Sequence, residues 1–288
     1  MPASPTDLAD PSALARDLHA RAGVGVAAHV LQGRGLEILR IRVEQPALIL
    51  VDRGIKDVRT ERGARVRARP GQAIVLGGQQ TVDFTNTVTG GTHYEARWLV
   101  FDTALLEEAH YAARAAQGEA LNAAPARLLA RVAPRLADAF ERARQALAPA
   151  AELPDAVARL RVLEVLHWLL EQGVAVPVPP MRAGVSFQVR TLVTGRLDDD
   201  WSAGRVANAL AMSEPTLRRR LAGEGTSLTD VLVDARMATA LTLLQATTRP
   251  VSEIAGSVGY ESPSRFAVRF RQRFGFAPTA VRGHERAN

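Results

Sequence analysis

The sequence predicts an α+β protein in three parts. An antiparallel β-barrel comes first, a helical subdomain follows, and an all-α C-terminal domain joins two helix-turn-helix units by a long helix. Three observations carry this. Residues 24–101 hold short apolar runs of period two, separated by Gly, Pro, Asn and Asp. Residues 103–173 are alanine-rich, with apolar side chains at three- and four-residue steps. Residues 206–275 carry one short-helix, tight-turn, short-helix pattern twice, about fifty residues apart.

In the first part, Glu37-Ile-Leu-Arg-Ile-Arg-Val43, Ala47-Leu-Ile-Leu-Val51, Gln72-Ala-Ile-Val-Leu76 and Glu95-Ala-Arg-Trp-Leu-Val-Phe101 read as strands at close spacing. Residues 24–102 are assigned to this barrel and residues 1–23 to a flexible tail. Lys56, His93, Tyr94, Arg97 and Trp98 are polar or aromatic groups on strand-like segments and form the candidate effector-binding set. Alternation alone does not say which of them face inward.

Residues 103–173 read as helical through Leu128, Leu129, Val132, Leu136, Phe140 and Leu147, then Val157, Leu160, Leu163, Leu166 and Leu170. Leu160, Leu163, Leu166, His167 and Leu170 are the candidate dimerisation stripe. The same stripe would equally serve to cover the barrel. Residues 174–185 are Pro-rich and read as a linker, which puts the start of the C-terminal domain at residue 186.

In the second helix-turn-helix unit, Ile254, Ala255 and Val258 give the first helix one apolar stripe. Gly259 stands where a helix commonly ends. Ser262-Pro263 reads as an N-cap and first helical position. Phe266 and Phe270 supply the buried side of the second helix, which leaves Ser264, Arg265, Val268 and Arg271 pointing outward. The upstream unit repeats this with Val206-Ala207, Leu210, Ser213, Leu217 and Leu221, and its turn is one residue shorter. Residues 227–245 between them contain neither Gly nor Pro and open on a capping-box spacing, Ser227 to Asp230. A helix of that length is a rod of about 28 Å. With its turns it would set the two outward helices roughly 34 Å apart, one turn of duplex DNA. Arginine-bearing outer faces at that separation suit successive major grooves. The candidate DNA contacts are Thr216, Arg218, Arg219 and Arg220 on the first unit and Ser264, Arg265, Val268, Arg269 and Arg271 on the second.

Residues 187–282 resemble the DNA-binding domain of the AraC/XylS family of bacterial transcription regulators. Ile254-Ala255, Gly259-Tyr260, Ser264, Phe266, Phe270-Arg271, Phe274-Gly275, Pro278 and Arg282 stand at family spacing, as do Arg236, Ala240 and Leu243-Leu244 in the connecting helix. The resemblance implies base contacts at Arg218, Arg219, Ser264, Arg265 and Val268, and implies RNA polymerase as a partner. Val281 replaces the aromatic residue usual before the closing arginine, so a looser last helix is expected. Arg69-Pro-Gly-Gln-Ala-Ile-Val-Leu-Gly-Gly-Gln-Gln80 is similar to a conserved stretch of small cupin barrels, which the same family often carries as a sensor. The histidines of metal-binding cupins are missing, so the barrel is expected to be cupin-like without a metal.

Composition bounds the rest. With 288 residues the chain holds two domains comfortably, and no cysteine means no disulfide or thiolate site. Absence of disulfides fits the cytoplasm, and no apolar run approaches the ~20 residues of a membrane span. Net charge is +6; residues 186–288 hold 14 arginines against 10 acids, so most of the excess lies with the helix-turn-helix units. No nucleophile motif, phosphate loop or metal spacing among the six histidines appears, so neither an enzyme, a cofactor nor a metal is expected. Two functions remain. One is a sequence-specific transcription regulator, an activator and homodimer on double-stranded DNA, controlled by a small organic effector or a regulatory protein. The other is a constitutive architectural DNA-binding protein whose first half only oligomerises.

Overall fold

The computed structural model describes residues 16–91, 93–117, 124–176 and 184–282. The strands are β1 (Asp17–Arg21), β2 (Gly25–Gln32), β3 (Leu36–Val43), β4 (Ala47–Arg53), β5 (Ile55–Thr60), β6 (Arg65–Ala68), β7 (Ala73–Leu76), β8 (Gln80–Thr87), β9 (Tyr94–Phe101) and β10 (Ala126–Leu129). They form a six-stranded sheet, β1-β2-β9-β4-β7-β10, and a four-stranded sheet, β3-β8-β5-β6, with antiparallel pairing throughout.

Side-chain alternation assigns each face of the larger sheet to a different core. On β4, Ala47, Ile49 and Val51 point into the space between the sheets, while Leu48 and Leu50 point the other way. That second face is covered by α1 (Thr103–Leu106), α2 (Ala109–Gln117), α3 (Pro134–Leu147) and α4 (Asp155–Glu171), through Leu136, Phe140, Val162 and Leu166 among others. A strand buried on both faces has no polar position to spare, hence the uninterrupted run Ala47-Leu-Ile-Leu-Val51. β8 has one face outside and alternates strictly, with Val82 and Phe84 inward.

The C-terminal helices are α5 (Val185–Val193), α6 (Ala203–Ala209), α7 (Glu214–Gly223), α8 (Leu228–Ala246), α9 (Val251–Ser257) and α10 (Pro263–Phe274), followed by a 3-10 turn, Pro278–Arg282. Val281 is fully buried there, and Arg282 donates to the carbonyls of Leu244 and Thr247 at 3.2 and 2.8 Å, which satisfies the open end of α8. The core around α8 is continuous with the core between the two sheets. Among the described residues, no helix is long and apolar enough to cross a membrane.

Three expectations are corrected. The tail assigned to residues 1–23 does not run that far, because Asp17–Arg21 forms β1 in register with β2; residues 1–15 lie outside the described residues. The stretch 103–173 is not helical throughout, since Ala126–Leu129 pairs with β7. The linker reading of 174–185 fails at both ends. Val174, Ala175 and Val176 are buried in the first-half core, and α5 already starts at Val185; residues 177–183 lie outside the description. Only β10 is set by a pairing partner far along the chain; β1 closes a tight hairpin with the adjacent β2.

Candidate nucleic-acid interface and interdomain cavity

α10 is built from its cap inward. The Ser262 side chain accepts from the Arg265 N–H at 3.4 Å, and Pro263 takes the first turn. Phe266, Phe270 and Phe274 pack ring against ring at 5.6 and 4.7 Å and hold the helix on the core. Ser264, Arg265, Val268, Arg269 and Arg271 are all exposed, as the spacing predicts, and Val268 is 58% exposed. Gln272 is exposed beside Val268 and Arg269 and belongs to the same face. Its i+4 relation to Val268 was the signal for it in the sequence.

α7 repeats the construction on Ser213, Leu217 and Leu221. Arg218, Arg219 and Arg220 are exposed; Arg218 lies 3.5 Å from Glu214, a surface pair that holds little energy. Thr216 is half-buried, and its hydroxyl lies 3.0 Å from that of Ser213, so it belongs to the cap as much as to the outer face. The turns correspond as well. Gly259 has φ +80°, and a Cβ there would meet the Leu197 carbonyl oxygen at 2.6 Å. The matching position of the first unit is Ala211, at φ +52°.

Arg273 turns inward, donating to Asp234 on α8 at 2.8 Å and to the carbonyls of Leu39 and Arg40 on β3 at 2.9 and 2.5 Å. Arg190 on α5 donates to the other oxygen of Asp234 at 2.9 Å and lies 3.2 Å from Glu44 in the β3–β4 turn. Burial pushes the Glu44 carboxyl up from its ordinary range, outweighing the neighbouring Arg190, which pulls it down. Recognition helix, connecting helix and sheet are thus tied by one charged chain of contacts.

Between β3, β4, β8 and β9 on one side and α5 and α8 on the other lies a cavity of about 680 Å³. Ile49, Phe84, Trp98, Val100, Phe187 and Leu241 give it an apolar wall, and Lys56 stands in it. Lys56 is 1% exposed; it donates to Asn86 Oδ1 at 3.0 Å, with its ammonium 4.0 Å from the Phe84 ring centre and 5.4 Å from that of Trp98. Among the described residues no carboxylate pairs with it, and burial pushes its amine down to about 7. From Asn86 the hydrogen bonds run on to Gln32 at 3.1 Å and from Gln32 to Gln245 on α8 at 3.0 Å, across the domain boundary.

Of the candidate effector residues, only Lys56 and Trp98 line this cavity. Arg97 is on the opposite face of β9, bound to Asp52 at 2.8 and 2.6 Å and to Glu141, and the Asp52 contact raises its pKa. Tyr94 is buried with its hydroxyl in the core, and burial raises its pKa; His93 is buried with its ring 3.4 Å from Glu95. The dimerisation stripe divides too. Leu166 is fully buried under the six-stranded sheet, Leu163 and Leu170 pack on the same core, and Leu160 is 63% exposed. Leu166 is therefore removed from the stripe: it packs at the centre of the helix–sheet core.

Residues 206–284 match the model of a helix-turn-helix domain family. Together with the paired units joined by α8, this makes the C-terminal third an AraC/XylS-family helix-turn-helix DNA-binding domain. The chain is 32% identical over 123 residues to the HTH-type transcriptional regulator GadX of Escherichia coli O6:H1, a match covering 42% of this chain and 45% of GadX. It is 35% identical over 91 residues to the transcriptional regulator SirC of Salmonella typhimurium, covering 32% and 31%. The chain thus spans less than half the length of these curated relatives. Over 89% of this chain and 97% of the other, the fold matches ToxT of Vibrio cholerae with a TM-score of 0.59 at 10% identity. ToxT solved with an unsaturated fatty acid bound matches with 0.56 at 10% identity, over 92% and 98%.

Proposed function

We propose that this chain is a transcription regulator that reads double-stranded DNA with α7 and α10 and is controlled by a small organic acid held between its two domains. The observation that carries the first half is the pair of outward faces, Arg218-Arg219 and Ser264-Arg265-Val268. Arginine suits guanine, and an exposed valine suits the thymine methyl. α8 is the spacer that sets the faces one groove apart. The likeness to GadX and SirC supports regulation of transcription, and RNA polymerase contact and activation belong to the same proposal.

Control through the first half rests on the cavity. An apolar wall with one buried, carboxylate-free amine is complementary to an apolar acid, and the occurrence of a fatty-acid-bound ToxT supports that chemistry for this fold. Such a cavity favours a regulated protein over a purely architectural one. Self-association of two copies through the Leu160 side of α4 completes the proposal.

The test is DNA binding by Arg219→Ala and Arg265→Ala on a selected operator and on random duplex. Each should lose about 1–3 kcal/mol on the operator and far less on random DNA. Equal losses on both would overturn base reading. A second arm follows intrinsic fluorescence on titration with an unsaturated fatty acid, in a Trp168→Phe, Trp201→Phe background that leaves Trp98 as the reporter. Lys56→Met should weaken binding at least tenfold, since a charge-assisted contact is lost; unchanged affinity would overturn the assignment of the effector.

A further inference from the structure

Away from both the DNA-facing helices and the cavity, the fold gathers three metal-ligand side chains that lie far apart in sequence. Glu108, just ahead of α2, His110 on its first turn and His167 on α4 each present one ligand atom, and the three atoms lie within 4.8 Å of one another. The two imidazole rings stand 5.3 Å apart, tilted by 43°. We infer that Glu108, His110 and His167 form a zinc-class divalent-cation site that staples α2 to α4.

The donor set selects the ion. Two imidazoles and one carboxylate suit Zn²⁺ and its neighbours, whereas Ca²⁺ and Mg²⁺ prefer all-oxygen shells. With bonds of about 2.0–2.2 Å, tetrahedral ligands stand roughly 3.3 Å apart, so the set must close by an ångström or so. His110 is exposed and free to rotate inward. A fourth position remains for water.

The surroundings hold the other two ligands in place. The Glu108 oxygens accept from the N–H groups of His110 at 3.2 Å and Tyr111 at 2.9 Å, which orients the carboxylate and leaves each oxygen a free lone pair. The Tyr111 ring sets its edge against His167 at 5.8 Å, and its hydroxyl is fixed to both backbone groups of Val176 at 3.2 and 2.9 Å. One turn further along both helices, Arg114 donates to Glu171 at 2.8 Å. The nearby cation is therefore already neutralised, and the α2–α4 seam is closed on that side.

The experiment is titration of the untagged full-length protein with Zn²⁺ by calorimetry and with Co²⁺ by visible absorption, where four-coordinate nitrogen and oxygen ligation gives intense d–d bands. Wild type should bind one equivalent, and the metal should raise its Tm. His110→Ala and Glu108→Gln should each weaken binding at least tenfold and abolish the Tm rise. The metal-free Tm of His110→Ala, and the operator binding and fatty-acid response of both variants, should stay as in wild type, which separates this site from the function proposed above. No saturable Zn²⁺ binding by wild type, or undiminished binding by His110→Ala, would overturn the inference. Because His110 is exposed, that variant keeps the fold even where His167→Ala does not.

Discussion

Lys56 shows how much one side chain can depend on its surroundings. It is the chain's only lysine, it is buried, and its partners are an amide oxygen and three aromatic rings. Its amine falls from the ordinary 10.5 to about 7, so between those values the unfolded chain binds a proton that the folded chain does not. Stability should therefore rise as pH climbs from about 7 towards 10.5, with a slope of up to ~1.4 kcal/mol per pH unit from this group. Denaturant titrations at pH 7, 8 and 9 should show that rise in wild type and a flatter profile in Lys56→Met. Parallel profiles would mean that the amine is solvated or paired. Nothing in the strand pattern around Lys56 announced this. Alternation placed it on a face, and only the packing of the two sheets against each other, with α8 alongside, put it in a cavity.

At the scale of elements, both helix-turn-helix units were legible because their determinants are local. Caps at Ser213, Ser227 and Ser262, the i,i+4 pairs Leu217–Leu221 and Phe266–Phe270, and the turn residues all act within a few positions. The first turn carries a cost that the second avoids, because Ala211 occupies the left-handed conformation that Gly259 takes freely. Ala211→Gly should stabilise the protein by about 1 kcal/mol, read as a higher Tm with DNA affinity unchanged; a fall in Tm would show that the left-handed turn is unstrained. α4 was less legible. Its leucines all fit a helical stripe, but Leu166 faces the six-stranded sheet while Leu160 faces solvent. Leu166→Ala should cost about 2–5 kcal/mol through the cavity it leaves. Leu160→Glu should stay within ~0.5 kcal/mol in stability yet shift the sedimentation of the protein towards monomer. A dimer that survives Leu160→Glu would remove α4 from the self-association surface.

For the whole molecule, the decisive feature is that the two halves share contacts instead of hanging on a linker. Arg273 and Arg190 converge on Asp234, and both reach β3 or the turn after it; Gln245 reaches Gln32 on β2 of the larger sheet. Asp234→Asn should lower stability by about 1–3 kcal/mol, since hydrogen bonds to a charged group are lost. Hydrogen exchange should then quicken at the end of α10 and along β3 more than in β8 or α3. Uniform quickening over the chain would show a general loss of stability instead of a released contact. The proposed effector, entering the cavity beside Gln245 and Lys56, would act on this same boundary, which would give it a route to the relative setting of the barrel and α8.

The sequence by itself determined what nearest neighbours decide: four strands of the first half, the two helix-turn-helix units, the long helix α8 and the exposure of the arginines from Arg218 to Arg271. These follow from side-chain periodicity and caps, whose energies act over one or two turns. Tertiary structure decided what depends on distant partners. It paired β10 with β7, divided the leucines of α4, tied Arg273 to Asp234 and β3, and brought Glu108, His110 and His167 together. Each of those outcomes rests on groups tens to hundreds of residues apart meeting at a few ångströms, and no local pattern encodes such a meeting.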